Sequence, residues 1–83
     1  MMNEPEDTHE YRFEVGQIVQ FDAELGYTMA HEFYLIVDRW LKFESRAERY
    51  VERYQLQALN PHPGFENDLL LASAWQIEIA REL

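Results

Sequence analysis

The stretch Glu32–Asn60, EFYLIVDRWLKFESRAERYVERYQLQALN, decides the fold. It lies in the longest run without Gly or Pro and holds much of the large apolar content. On a helix, Phe33, Ile36, Val37, Trp40, Phe43, Ala47, Tyr50, Val51, Tyr54 and Ala58 recur at three- and four-residue steps. That is an apolar stripe of helical period. The charges oppose it: Glu44, Glu48 and Glu52 stack four residues apart, as do Lys42 with Arg46 and Arg49 with Arg53. Like charges at that spacing cost roughly 0.2–0.5 kcal/mol each. Leu56 falls on the polar side.

As strands, the stretch divides in two. Phe33, Leu35, Val37, Leu41 and Phe43 share one face of the first half, interrupted by Arg39. Tyr50, Tyr54 and Leu56 share a face of the second with Glu48 and Glu52, leaving Arg49, Val51, Arg53 and Gln55 opposite. Dense aromatic and β-branched residues suit a half-buried pleated surface, and opposite charges can pair across strands. The connection Glu44-Ser45-Arg46-Ala47 has no Gly, Asn or Pro and specifies no hairpin turn type. The balance predicts a hairpin and a mainly β protein. A single long helix over 32–59 in an α+β fold is the alternative.

Working outward, Tyr11-Arg12-Phe13-Glu14-Val15 alternates, Gly16 punctuates, and Ile18-Val19-Gln20-Phe21 reads as a first strand. Ala23–His31 has no clear period and reads as a loop. Asn60-Pro61-His62-Pro63-Gly64 is the strongest turn signal in the chain, and the loop continues from Phe65 to Asp68. Beyond it, Leu69–Ala80 reads as a strand, one helical turn and a last short strand, or as one helix capped by Asp68. The first ten residues, MMNEPEDTHE, are polar and acidic and read as a flexible tail, with an acidic recognition segment as the functional alternative. Residues 11–83 form a single small domain on this reading.

Composition bounds the rest. The chain has 83 residues, no cysteine and a formal net charge of −9. No thiol chemistry is available, a cytoplasmic setting is natural, and no run of about twenty apolar residues spans a membrane. The charge is uneven: −7 over residues 1–32, +1 over 33–60 and −3 over 61–83. That balance disfavours binding to phosphates and allows attraction to a basic surface.

The segment Phe13-Glu14-Val15-Gly16-Gln17-Ile18-Val19, followed by Tyr34-Leu35-Ile36-Val37, resembles the opening of small SH3-like β-barrels. Tyr54-Gln55-Leu56-Gln57 and Leu71-Ala72-Ser73-Ala74-Trp75-Gln76-Ile77-Glu78 continue the resemblance over about residues 11–80. It implies a barrel of about five strands, closed by a strand, a 3₁₀ turn and a short last strand, and a binding module more readily than an enzyme.

No constellation for catalysis stands out. His9, His31 and His62 lack the spacing of a zinc site. Ser45 and Ser73 lie in no nucleophile motif, and three glycines make no phosphate loop. The chain reads as a non-enzyme without cofactor or metal. Two regions are candidates for binding. Trp40, Tyr50, Tyr54, Arg49 and Arg53 combine residue types that anchor protein interfaces. Asp22, Glu24 and Glu32 form a candidate acidic patch. The first predicts a protein-interaction module. The second predicts an acidic inhibitor occupying the nucleic-acid-binding surface of a basic, nucleic-acid-handling protein; in bulk the chain resembles small phage-encoded antagonists of host defence. A weak RNA or DNA binder using Arg39, Lys42, Arg46, Arg49 and Arg53 is the third reading. Homodimerisation through a strand edge or the aromatic face is a further expectation.

Overall fold

A computed structural model describes residues 9–26, 32–61, 63–64 and 69–80. The expected tail before His9, the 65–68 loop with its Asp68 cap, His31 and His62 lie outside the described residues. Five strands are present: β1 (Ile18–Phe21), β2 (Tyr34–Glu44), β3 (Arg49–Ala58), β4 (Leu69–Ser73) and β5 (Ile77–Ile79). They form one antiparallel sheet in the order β4-β3-β2-β1-β5. The protein is therefore mainly β. The sheet is not closed into a barrel: β4 and β5 end it as edges, joined by a 3₁₀ turn at Ala74–Gln76.

The helix over 32–59 is overturned by β2 and β3. Strand geometry separates the acids that a helix would stack. Glu44 and Glu52 stand on opposite strands and opposite faces, and Glu48 sits in the turn. The turn that no glycine announces is the four-residue loop Ser45–Glu48. The Glu48 N–H donates to the Ser45 carbonyl at 3.3 Å, and Glu48 itself takes the left-handed conformation at φ 51°. A four-residue loop tolerates ordinary residues where a two-residue turn does not. Gly16, at φ 97°, makes the expected punctuation before β1, and its N–H donates to the Ile36 carbonyl at 2.9 Å.

One irregularity corrects the face assignment. Ile36 pairs with Leu56 and Asp38 with Gln55, so Val37 is an extra residue in β2. A bulge shifts the two-residue alternation by one. Before it, Tyr34 and Ile36 face inward, not Phe33, Leu35 and Val37. After it, Arg39, Leu41 and Phe43 share the inner face, opposite Tyr54, Glu52 and Tyr50. In β3 Tyr50, Glu52, Tyr54 and Leu56 share one face as expected, but Glu48, expected with them, lies in the turn before the strand.

The core comprises Phe13, Val19, Phe21, Tyr34, Ile36, Tyr54, Leu56, Ala72 and Ile77. Each large apolar side chain buried there contributes about 1.5–3 kcal/mol. All nine lie on the inner face of the sheet or on the segment 9–17 that crosses it. Among the described residues, the part of the hairpin near Tyr34–Ile36 and Tyr54–Leu56 is flanked on both sides, by β1 and β4. From Glu52 back to Arg49, β3 pairs among the described residues with β2 alone.

Candidate interaction surface

Glu52 is where the crossing segment meets the hairpin. It faces inward because β3 alternates, and it lies one turn of the pleat from the buried Tyr54. Its Oε1 accepts hydrogen bonds from the Tyr54 hydroxyl and from the Arg12 N–H, the latter at 2.9 Å. Its Oε2 lies 2.7 Å from His9 Nε2. Burial alone raises the Glu52 pKa. The bonds from Tyr54, the Arg12 N–H and His9 outweigh burial and hold it below the ordinary carboxylate value. The Tyr54 hydroxyl also accepts from the Phe13 N–H at 3.1 Å. Burial first, then the bond to Glu52, pushes its phenol well above the usual value. Arg39 completes the clamp: its Nη1 donates to the Phe13 carbonyl at 2.7 Å, and its guanidinium carbon lies 4.3 Å from the centre of the Tyr11 ring.

Beside this clamp lies a shallow groove of about 250 Å³, lined by His9, Arg12, Arg49, Tyr50, Val51, Glu52, Ser73, Ala74 and Trp75. It opens where β4 stops and the chain turns away at Ala74. Gln76 Oε1 fixes that turn by accepting from the Ser73 N–H at 2.8 Å. Trp75 is 63% exposed and Tyr50 51% exposed. Tyr50 packs edge-on against Phe43, its cross-strand partner, with ring centres 5.3 Å apart. Arg12 and Arg49 are exposed and form no ion pair among the described residues. Glu44 stands opposite Arg49 on the ladder without closing a salt bridge, so the anticipated cross-strand charge pairing does not form there.

The five residues singled out for binding separate. Arg49 and Tyr50 line the groove. Tyr54 is fully buried and belongs to the core and the clamp. Trp40 and Arg53 pair across the outer face and are half-buried, with Arg53 Nε buried and unpartnered among the described residues. The basic set is likewise divided, since Arg39 is committed to Phe13 and Tyr11. Asp22, Glu24 and Glu32 all lie on the β1–β2 connection, away from the groove. Asp22 Oδ1 caps the 3₁₀ turn Ala23–Leu25 by accepting from the Glu24 N–H at 2.9 Å. Glu32 accepts from the Tyr34 hydroxyl at 3.0 Å. Burial, then Glu32, pushes the Tyr34 phenol from 10.0 to about 12.

Sequence reasoning missed His9, Arg12 and Trp75 as neighbours of Tyr50, since 25 to 41 residues of sequence separate them from it. The only local signal was a Trp in a short turn, where it has little core to enter. Among the described residues no group of three or more metal-ligating side chains converges, and no helix is long and apolar enough to cross a membrane. Comparison with family models, curated proteins and solved structures gives no match.

Proposed function

We propose that this chain is a non-enzymatic protein-interaction module that binds through the distal half of the β2–β3 hairpin and the groove beside it. The observation that carries the reading is the gathering of exposed Tyr50 and Trp75 with Arg12 and Arg49, which form no ion pair among the described residues, around one concavity. Tryptophan, tyrosine and arginine are the residue types most often found as anchors of protein interfaces. The five antiparallel strands and the 3₁₀ turn between β4 and β5 agree with the SH3-like resemblance in part, the sheet being open, and that resemblance favours a binding module too. The acidic-inhibitor reading draws support from Asp22, Glu24 and Glu32 sharing one connection, with Glu24 exposed. The nucleic-acid reading is weakened by the division of its arginines between two faces.

The test is capture from lysate by the tagged wild-type chain in parallel with Tyr50→Ala, Trp75→Ala and the triple variant Asp22→Asn, Glu24→Gln, Glu32→Gln. A partner lost by the first two, with unchanged near-UV circular dichroism, and kept by the triple variant supports the groove. A partner lost only by the triple variant, and released by salt, replaces it with the charge-mimic reading.

A further inference from the structure

The groove runs along a strand edge. The last pair between β3 and β4 is Arg53 with Ser73, after which the chain leaves the sheet at Ala74. Arg49–Glu52 continue as strand, and among the described residues β2 is the strand they pair with. In a strand paired on one side, alternate N–H and C=O groups point to the other. Those groups have no strand partner among the described residues, and they border the groove. Resting on the interaction-module reading, we propose that the groove takes an extended acidic peptide segment, which adds as a strand to the Arg49–Glu52 edge of β3 in line with β4.

Antiparallel addition in the direction of β4 gives the segment its side-chain pattern. Four residues span about 13 Å and alternate between the faces. On the outer face their side chains meet Arg49 and Val51; on the inner face they meet Tyr50 and Glu52. Arg49 calls for a carboxylate directly opposite, a favourable cross-strand pair. Val51 calls for a β-branched partner and Tyr50 for an aromatic one, with Trp75 as the wall at the open end. Glu52 is an unattractive site for a ligand cation, because its two oxygens are already engaged by Tyr54, Arg12 and His9. The groove thus carries cations at Arg12 and Arg49 in a chain of net charge −9. Recognition of an acidic segment must come from contact, since the long-range field of the protein repels it. Raising salt weakens the contact pairs and screens the repulsion together, so the net salt dependence is small.

The test is an NMR titration of the full ¹⁵N-labelled chain with a blocked peptide Thr-Val-Phe-Glu, and with its counterpart ending in Lys. The expected result is saturable shifts at Arg49–Glu52, slowed amide exchange along that edge, and binding of the Lys peptide at least tenfold weaker. Arg49→Glu should reverse the preference between the peptides without disturbing core resonances. Shifts indifferent to the charge of the peptide, shifts confined to other residues, or tighter binding of a single-stranded oligonucleotide at the same edge would overturn the proposal. Partner capture that depends on Tyr50 and Trp75, alongside peptide failure, removes strand addition and leaves the interaction module standing.

Discussion

The two halves of the β2–β3 hairpin share strands, register and a similar density of aromatic residues, yet they do different work. Near the sheet centre, Tyr34, Ile36, Tyr54 and Leu56 are at most 3% exposed. At the far end, Phe43 and Tyr50 are 52% and 51% exposed. The difference comes from the neighbours: β1 and β4 flank the first half, and among the described residues no strand flanks the second. An isolated two-stranded ribbon is marginal in water. The far half is held because it continues a ladder whose root is anchored in the core and because the Glu52 clamp ties the segment 9–17 to its base. A buried aromatic adds stability; the same side chain on the ribbon beyond β4 stays exposed.

The largest expected effect separates the halves by truncation. Ile36→Ala opens a cavity in the core and should cost about 2–5 kcal/mol. Phe43→Ala loses an exposed edge-on pair and should cost about 1 kcal/mol or less. Urea unfolding of the two variants compares them, and equal losses would break the distinction between root and ribbon.

Next comes the clamp. Tyr54→Phe keeps the ring but removes the hydroxyl that serves both Glu52 and the buried Phe13 N–H. An unsatisfied buried donor costs about 1–3 kcal/mol, and amide exchange at Phe13 should quicken by a corresponding factor. Unchanged exchange there would mean that the segment is held by packing alone.

A smaller effect is pH-dependent. The Glu52 carboxyl titrates below its ordinary value in the folded chain, so the folded state favours the carboxylate. That contribution is fully present above the ordinary carboxylate range and is lost as pH falls through it toward the lowered folded value. The wild-type chain should lose stability faster than Glu52→Gln over that acid interval, in thermal melts at stepped pH. Parallel curves would show that the carboxylate gains nothing on folding.

The smallest change lies at the tip of the ribbon. Glu48 holds a positive φ that costs an L-residue about 1–2 kcal/mol. Glycine removes that strain at an entropic cost of about 0.5–1 kcal/mol, so Glu48→Gly should raise stability by about 1 kcal/mol or less. A loss on urea unfolding would show that the Glu48 side chain supports the turn.

Much of the sheet is legible in the residues. The clash of like charges on a helix, the aromatic and β-branched density, the punctuation at Gly16 and the broken pattern around Trp75 lead to β1, β2, β3 and the strand–turn–strand ending. The hairpin turn was not legible, because Ser45–Glu48 relies on a positive φ in a glutamate that no composition rule flags. The inward face at Tyr34 and Ile36 was not legible either, because one bulge residue, Val37, shifts the phase. Of the candidate site, Arg49 and Tyr50 were visible as residue types; their company was not.

The sequence by itself determined the β class, the two-strand division of the central stretch and the separation of an acidic first third from a mixed centre. These are local properties: period, propensity and charge spacing act over a few residues. Only the tertiary structure decided that Tyr54 is core while Tyr50 is surface, that Glu52 joins His9, Arg12 and Tyr54, and that Trp75 stands beside the edge of β3 where its pairing with β4 ends. Those outcomes depend on which strands flank a residue and where the flanking strand stops, and that is set by contacts between segments far apart in the chain.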